Sequence, residues 1–268
     1  MSEKRFPLVP VIYTALLMLP VYWLVTMAFK TNGEIAGRLT LFPEAPTLRH
    51  LKLIFTEKAW WMGYVHALIY VCMNVVISVG VALPAAYAFS RYAFPGKRPL
   101  FFGFLVFRMM PPVILLVPFV QIFSDLDLYD THIAVALAHC FFNVPIAVWI
   151  LEGFISSVPR EIDESARIDG HSLWSFFRRI LIPQIGPGIA VTAFFCFMFS
   201  WVEFLLANAL TAVAAKPISG IMTRAGGVLA GDFGLLAAAS VVGFIPGVIC
   251  IVLVRKHLVR GFSLGRVG

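Results

Sequence analysis

Polar side chains are few in the apolar runs of this sequence, and their types suit hydrogen bonding to a solute rather than covalent chemistry. His139 and Asn143 lie four residues apart, so they would face the same way on a helix. Their donors and acceptors can bind the hydroxyl groups of a solute, or they can form ordinary hydrogen bonds between helices. The spacing predicts one shared face and leaves both roles open.

A second polar stripe occupies the apolar run near residue 200. Its members recur every three or four residues, so they would share one face of a single continuous helix: Thr192, Cys196, Ser200, Glu203 and Ala207. Small and polar residues suit the lining of a transport path, and close helix packing is the alternative. Glu203 is the strongest candidate, as a hydrogen-bond acceptor or as a charge partner, because a carboxylate at bilayer depth usually faces protein or water.

One cation, Arg108, also falls inside an apolar run, about 10 Å from its cytoplasmic end by helical rise. It can extend toward the membrane surface or pair with Glu152 or Glu203, and the sequence does not choose among these. Pro111 and Pro112 follow at once and must disturb the helix. A static kink is favoured over a broken helix that acts as a gate.

The composition explains why these polar groups stand out. The chain has 268 residues, of which 60% are hydrophobic and 13% charged, and its mean hydropathy is +0.89. Soluble proteins average about 45–50% apolar and about 25% charged residues, so lipid is expected to surround much of this surface. The net charge of +7 does not indicate nucleic-acid binding, because many basic residues flank apolar runs as membrane topology signals do.

The distribution of polar residues also argues against an enzyme. A catalytic centre needs convergent nucleophilic, acid–base or metal-binding groups, whereas the polar residues here are scattered one or two per predicted helix. The cysteines lie in apolar runs without metal-ligand spacing: Cys72, Cys140, Cys196 and Cys250. The sequence therefore predicts no catalytic residue, no metal site and no cofactor bound by this chain. A multispan membrane enzyme and a stand-alone secondary carrier are the alternatives.

Six apolar runs are each long enough to cross a bilayer core of about 30 Å as a helix. They cover residues 9–29, 64–89, 101–123, 133–154, 188–211 and 235–254, approximately. Because lipid offers no partner for free backbone groups, the predicted fold class is an all-α membrane protein, a single domain with six transmembrane helices. The first run is longer than the signal-peptide core of about 7–15 residues, and we interpret it as a retained anchor.

Basic residues predict the orientation of these helices. With the N-terminus in the cytoplasm, thirteen of the 21 Lys and Arg residues fall on the cytoplasmic side. The loop from Asp125 to Asp130 carries three Asp and no Lys or Arg, which fits the outer side. We therefore expect both termini in the cytoplasm.

Residues 156–187 form the longest predicted cytoplasmic connection, and local signals indicate a helix, a turn and a second helix. Ser156 or Ser157 can cap the first helix. Gly170 permits the left-handed turn that ends it, and Ser172 can cap the second. The segment is either an amphipathic hairpin on the membrane surface or a contact for another protein.

This connection resembles a cytoplasmic motif of a known family. The stretch from Glu164 to Gly170, followed after nine residues by Ile180-Leu181-Ile182-Pro183, is similar to the "EAA" motif. That motif belongs to permease subunits of bacterial binding-protein-dependent ATP-binding-cassette importers. Ser165 replaces the more common Ala at its position.

Three further segments resemble the carbohydrate-uptake, maltose-type group of that family, so that the resemblance covers most of the chain. Residues 84–97 are similar to the segment after the second span of that group. Trp201-Val202-Glu203-Phe204 resembles its Trp-Asn-Glu-Phe, with Val202 as a departure. The Gly-rich end, residues 261–268, is similar to the C-terminus of its second permease subunit.

The resemblance implies a type I importer permease fold with a cytoplasmic coupling loop, and it implies a set of partners. These are a second permease subunit, two ATP-binding-cassette ATPases that hold ATP and Mg²⁺, and an extracytoplasmic solute-binding protein. This chain has no Gly-x4-Gly-Lys-Ser/Thr phosphate loop, so the ATPases would supply hydrolysis.

The resemblance also implies which residues carry the function. The ATPase-coupling residues would be Glu161, Glu164, Ser165, Ala166, Asp169, Gly170, Ile180 and Pro183, and the C-terminal tail is expected at the same interface. The candidates for the translocation path come from the polar residues of the apolar runs, together with Trp201 of the Trp-Val-Glu-Phe segment: Arg108, His139, Asn143, Ser200, Trp201 and Glu203. The expected function is import of a sugar, polyol or glycerol-like solute across the bacterial cytoplasmic membrane. An uncharged solute is favoured, and a phosphorylated one stays open.

Overall fold

Long apolar runs fold as helices in this chain because a helix satisfies its own backbone groups without water. The computed structural model describes residues 8–228 and 232–264, with side chains described for 8–226 and 232–256. The regular structure of these residues is helical and includes no strand, which confirms the predicted all-α class. The first helices are α1 (Leu8–Ala28), α2 (Asn32–Ala36), α3 (Arg49–Thr56) and α4 (Lys58–Arg91).

The middle of the chain continues with helices of very different lengths. They are α5 (Lys97–Arg108), α6 (Val113–Asp125), α7 (His132–Ser156), α8 (Arg160–Ile168) and α9 (Leu173–Phe176). A π-helical turn, Phe177–Leu181, joins α9 to α10 (Ile182–Gln184). The last helices are α11 (Gly186–Val202), α12 (Leu205–Ala209), α13 (Ile218–Val228) and α14 (Phe233–Leu264).

Four of these helices are each long and apolar enough to cross a bilayer within the part of the chain that the structure describes. They are α1, α4, α7 and residues 233–256 of α14. Two bent pairs, α5 with α6 and α9–α10 with α11, bring the number to six if each pair is one span. The count of six spans therefore stays a prediction.

The third apolar run is broken where the sequence favoured only a kink. Helix α5 ends at Arg108, α6 begins at Val113, and the two are bent by 93°. Proline lacks an amide hydrogen and its ring clashes with the preceding turn, and here two prolines stand in succession. Pro111 and Pro112 thus end one helix and start another instead of bending a continuous one.

The fifth apolar run is also interrupted, at Glu203. Helix α11 ends at Val202, and the backbone of Glu203 is extended, with φ −71° and ψ 120°. The Glu203 carboxylate accepts hydrogen bonds from the amides of Leu206 and Ala207, which are free donors in the first turn of α12. The predicted stripe is therefore right from Thr192 to Ser200 and wrong beyond, since Ala207 belongs to a separate helix.

The structure divides the chain into two compact units. The first contains residues 1–64 and 218–246. Its apolar core combines residues of α1, α3, α4, α13 and α14: Ala28, Ile54, Trp60, Ile218, Leu235, Ala237, Ala238 and Ala239. Gly63 allows the close approach of α4 and α13, because a Cβ atom there would lie 2.9 Å from the backbone of Ile218.

The second unit contains residues 65–217 and 247–268. It has two apolar clusters at different levels of α4. One includes Ala82, Tyr87, Leu151 and Leu181, and the other includes Tyr70, Phe123, Val135 and Leu206. Between these levels α4 carries Asn74 and Ser78, both fully buried. The candidate functional residues lie in this unit.

Candidate functional site

The first helix of the 156–187 connection, α8, begins without the predicted serine cap. Pro159 precedes it and makes no side-chain cap hydrogen bond. Ser157 donates instead to the Phe154 carbonyl at 2.7 Å, and Ser156 donates to Glu152 at 2.7 Å. Both serines therefore belong to the end of α7, because their hydroxyls are taken up by carbonyl and carboxylate groups of that helix.

The turn between α8 and α9 forms as the sequence predicts. Gly170 has φ +75°, in the left-handed region. The His171 amide donates to the Ala166 carbonyl at 3.0 Å, and the Gly170 amide donates to the Arg167 carbonyl at 3.1 Å. This pair of bonds is a Schellman motif, which closes the C-terminus of a helix. Ser172 then caps α9 by accepting a hydrogen bond from the Ser175 amide at 3.3 Å.

The loop presents most of the predicted coupling residues to its surface. Those exposed are Glu161, Glu164, Ser165, Asp169, Gly170 and Pro183, and Ile180 is half-buried. Ala166 lies elsewhere: it is buried in the core cluster that also contains Tyr87 and Phe176. The structure therefore places Ala166 beneath the loop, where it supports α8 and is not available for direct contact with a partner.

Three large apolar side chains are exposed among these charged residues. Ile168 is 86% exposed, Leu173 is 62% exposed and Trp174 is 77% exposed. They border the turn at Gly170, where α8 gives way to α9. Exposed apolar side chains grouped within a polar surface are typical of protein interaction sites. The sequence argument missed them because it weighed the charges of this segment and not its apolar residues.

A buried ion pair lies beneath α8 and was also missed. Arg91 donates from Nε to Oδ2 of Asp163 at 2.8 Å and from Nη2 to Oδ1 at 3.2 Å. The Tyr87 hydroxyl donates to the same carboxylate at 2.9 Å. The signal was present in the sequence: Asp163 is three residues before Ala166, so both fall on the inner face of an amphipathic helix. A carboxylate on that face requires a cation partner.

His139 connects α7 to the end of α11. Its Nε2 lies 3.0 Å from Oε2 of Glu203, and its Nδ1 lies 2.6 Å from the Ser200 hydroxyl. A carboxylate only accepts, so Nε2 donates to Glu203, and in the neutral ring Nδ1 accepts from Ser200. The Tyr70 ring meets the imidazole edge to face at 5.6 Å. The predicted candidates His139, Ser200 and Glu203 therefore form one cluster.

Asn143 belongs to a separate buried network one turn along α7. It donates to Oδ1 of Asn74 at 2.7 Å and to the Cys196 carbonyl at 3.2 Å. Asn74 in turn donates to the Ala136 carbonyl at 3.1 Å. Of the two roles left open for His139 and Asn143, the structure shows interhelical hydrogen bonding, and this network links α4, α7 and α11.

Arg108 pairs with neither of the carboxylates that the sequence offered. Its guanidinium lies over the Phe199 ring, with Cζ 4.2 Å from the ring centroid. A cation over an aromatic face is a favourable contact that survives partial desolvation. Trp201 stacks on Phe197, with ring centroids 5.9 Å apart and 8° between the planes. The contact of Arg108 with Phe199 could not be anticipated because it depends on how two separate helices pack, whereas Phe197 and Trp201 are four residues apart on α11 and their stacking follows from helical spacing.

A cavity of about 180 Å³ joins most of these groups. It is lined by Arg108, Pro112, His139, Phe142, Asn143, Phe199, Ser200, Val202 and Glu203. Pro112 and Glu203 stand at the two helix breaks, so both interruptions open onto the same space. Among the residues that the structure describes, no three metal-ligating side chains converge. The cavity offers hydrogen-bonding groups, an aromatic face and one cation.

Asp130 fixes the loop that leads into α7. Its carboxylate accepts hydrogen bonds from four successive amides, at 2.8–3.2 Å. They belong to Ala212, Val213, Ala214 and Ala215. Burial acts to raise the pKa of Asp130, but the four amides outweigh it and hold the pKa below its usual value. The charged carboxylate therefore ties residue 130 to the segment after α12.

The predicted contact of the C-terminal tail cannot be placed on this site. Residues 265–268 lie outside the described residues, and the side chains of residues 261–264 do as well. The tail therefore stays a sequence-based prediction.

A protein-family comparison and individual relatives both point to membrane components of transport systems. Residues 74–264 match the family described as binding-protein-dependent transport system inner membrane component. A diacetylchitobiose uptake system permease protein of Streptomyces coelicolor is 29% identical over 253 residues, which cover 94% of this chain and 92% of that protein. A trehalose transport system permease protein of Mycobacterium tuberculosis is 28% identical, covering 93% of this chain and 92% of that protein.

A solved structure shares the fold. It is a bacterial ABC transporter involved in the import of the acidic polysaccharide alginate, with a TM-score of 0.75 and 19% identity. The match covers 96% of this chain and 98% of that one. The predicted importer permease fold is thereby confirmed. Because the family match spans more than half of the sequence, the chain belongs to the inner membrane components of binding-protein-dependent transport systems, which are multi-pass membrane subunits and not themselves enzymes.

Proposed function

We propose that this chain is the permease subunit of an ATP-driven importer for a carbohydrate or a polyol. The observation that carries the proposal is the family match over residues 74–264, together with relatives named for uptake of diacetylchitobiose and of trehalose. The family's description names transport that depends on a binding protein, and the outer partner proposed for this chain is accordingly a solute-binding protein. The importer would be completed by a second permease subunit and two ATPases that bind ATP and Mg²⁺.

The loop around Gly170 is the surface that the ATPase would contact. It combines exposed acidic groups, Glu161 and Glu164, with the exposed apolar side chains Ile168 and Trp174. Apolar anchors within a polar rim are typical of protein interfaces. The positive-inside distribution of Lys and Arg supports a cytoplasmic position for this loop and for both termini, on the side where the ATPases would operate.

The cavity at His139 and Glu203 is the proposed part of the translocation path. Its hydrogen-bonding groups are already paired within the protein, at His139 with Glu203 and at Asn143 with Asn74. A solute hydroxyl would have to exchange with such a bond, so weak and transient contact is expected. Transient contact suits a path, because a solute that binds too tightly is released slowly.

The test is ATP-dependent uptake by the whole complex. The chain is produced with its second permease, ATPase and binding protein, reconstituted in vesicles, and offered diacetylchitobiose, trehalose, maltose, a polyol and glycerol. Uptake of at least one solute that requires both ATP and the binding protein supports the proposal. A complex that assembles and hydrolyses ATP but takes up none of the panel contradicts the substrate class. Uptake by this chain alone contradicts the need for partners.

Loop variants test the coupling surface separately. Proline cannot adopt the φ of +75° observed at Gly170, so Gly170→Pro should deform the turn. Glu164→Lys reverses a charge on the exposed side of α8. Both variants should insert normally, lose uptake and co-purify with less ATPase. Normal uptake together with normal ATPase recovery would reject this surface as the coupling contact.

A further inference from the structure

The ion pair between Arg91 and Asp163 joins the loop to a long helix of the membrane body. Arg91 is the last residue of α4, and Asp163 lies in the first turn of α8. The two side chains are only 6% and 9% exposed, and the guanidinium engages both carboxylate oxygens. The same Nη2 atom also donates to the Val158 carbonyl at 2.9 Å. The two residues therefore form a bidentate ion pair that is largely excluded from solvent, and its two hydrogen bonds restrict the rotation of both side chains.

Helix α8 has few other attachments to the body of its unit. Its buried residues are Asp163 and Ala166, and the latter contributes a single methyl group. Arg160 adds one longer bond, from Nη2 to the Ser90 carbonyl at 3.3 Å. A buried charge without its partner is strongly unfavourable, so the Asp163 carboxylate cannot leave Arg91 at low cost. Displacement of α8 must therefore carry the end of α4 with it.

Two covalent routes leave α8: residues 157–159 lead directly back into α7, and the longer route forward into α11 is less stiff. It passes through the turn at Gly170, the π-helical turn Phe177–Leu181 and an 83° bend before α11. π-Helical turns are rare and are found frequently at functional sites. Three changes of direction thus separate α8 from α11 along this route, whereas the ion pair joins α8 to the end of α4 directly.

Helix α4 reaches the polar network of the candidate path. Asn74 and Tyr70 lie 17 and 21 residues before Arg91 on the same helix, so Asn74 is about 26 Å from Arg91 by helical rise. Asn74 accepts a hydrogen bond from Asn143, and the Tyr70 ring packs against His139. A shift of α4 along its axis would thus act on both polar clusters at once.

We propose that Arg91 and Asp163 are the positioning pair that transmits movement of the loop through α4 to the polar residues at Asn74, Asn143 and His139. The inference rests on the proposed function, since it assumes an ATPase that moves the loop. It assigns the transmission to a side-chain joint and not to the chain connection between α8 and α11.

The test compares transport with hydrolysis in the complete importer. In Asp163→Asn the shape is kept and the charge is lost. Solute uptake per ATP hydrolysed should fall about tenfold, within the range by which substitutions in coupled networks change coupling. The ratio of uptake to ATP hydrolysis should fall by the same factor in Arg91→Gln. It should fall no further in the double variant, because the two residues act as one unit. Arg179→Gln is the matched control, with an unchanged ratio, since it removes an exposed cation of the same connection and leaves the bonds between α8 and α4 in place.

A merely structural role gives a different pattern. In that case Asp163→Asn would lower the amount of assembled importer but leave uptake per ATP unchanged for each complex that forms, and this result overturns the inference. Additive losses in the double variant overturn it as well. Should Asp163→Asn fail to assemble, Tyr87→Phe removes one hydrogen bond from the same carboxylate and should lower the ratio by a smaller factor. An unchanged ratio in Tyr87→Phe then overturns the inference. If the wild-type complex takes up no carbohydrate, the proposed function fails first, so the two failures are distinguishable.

Discussion

Removal of the Glu203 side chain tests the packing around the cavity most directly. The carboxylate accepts from His139 Nε2 at 3.0 Å and from the amides of Leu206 and Ala207 at 3.0–3.1 Å. Glu203→Ala leaves the first turn of α12 uncapped and one imidazole donor without its acceptor. The Glu203 carboxylate thereby joins α7 to α12, through His139 on one side and the amides of Leu206 and Ala207 on the other.

The expected cost follows from these contacts. Loss of a helix cap costs about 0.5–2 kcal/mol, and an interhelical hydrogen bond in a membrane protein contributes about 0.6–1.7 kcal/mol. Glu203→Ala should therefore lower the free energy of unfolding by about 1–4 kcal/mol. For a chain of this size, a midrange loss of about 2.5 kcal/mol corresponds to a fall of about 5–10 °C in the unfolding midpoint.

Thermal unfolding of the purified chain in detergent, followed by tryptophan fluorescence, measures this shift. Ser200→Ala removes only the bond to His139 Nδ1 and should lower the midpoint by a few degrees. Glu44→Ala is the matched control, because its side chain is exposed and surface substitutions usually change stability by less than about 0.5 kcal/mol. A Glu203→Ala midpoint within about 2 °C of the wild type would refute the argument, since it would mean that the three bonds contribute almost nothing.

Three further predictions concern other parts of the second unit. Gly188→Val should cost about 1–3 kcal/mol of stability, because a Cβ at this position would meet the Phe154 ring, with Cδ2 at 2.7 Å; adding Phe154→Leu should recover part of the loss in the same melting assay. Asp130 has a pKa held below its usual value, so its contribution to stability is complete above the ordinary carboxyl pKa of 3.8 and disappears as the pH falls below it. The midpoint difference between wild type and Asp130→Asn should accordingly stay constant from about pH 7 to 5 and shrink below about pH 4, and a difference that grows in acid would contradict this assignment. Gly170→Ala, at φ +75°, should cost about 1–2 kcal/mol, whereas Gly153→Ala, in a helix with open space around it, should not destabilise; equal effects of the two would argue against strain at the turn.

Much of the architecture could be predicted from the sequence because its causes are local. Apolar runs of sufficient length predict helices wherever they occur, and the helices α1, α4, α7 and α14 follow them. Gly170 and Ser172 mark the turn between α8 and α9 through their own backbone and side-chain preferences. Pro111 and Pro112 marked the position at which the third run is disturbed, but the sequence favoured a kink in one helix and the structure has a break between two.

The candidate site could be predicted only as a set of residue types. Ser200 and Glu203 were expected on one helical face, but the helix ends between them because Glu203 takes the amides of the next helix. The sequence left Glu152 and Glu203 as possible partners of Arg108, whereas the structure places its guanidinium over the Phe199 ring. Ala166 was expected at a partner interface and is buried within its own chain.

The sequence by itself thus determined which segments are helical and apolar enough to cross a membrane, and which family the loop resembles. Those properties depend on neighbours within a few residues, through hydrophobicity, proline geometry and helix caps. Only the tertiary structure decided which polar groups meet. Asp163 pairs with Arg91, which is 72 residues away in the sequence, and His139 is hydrogen-bonded to Glu203, which is 64 residues away. Such pairings depend on the rotation and height at which separate helices pack, and no local pattern encodes either quantity.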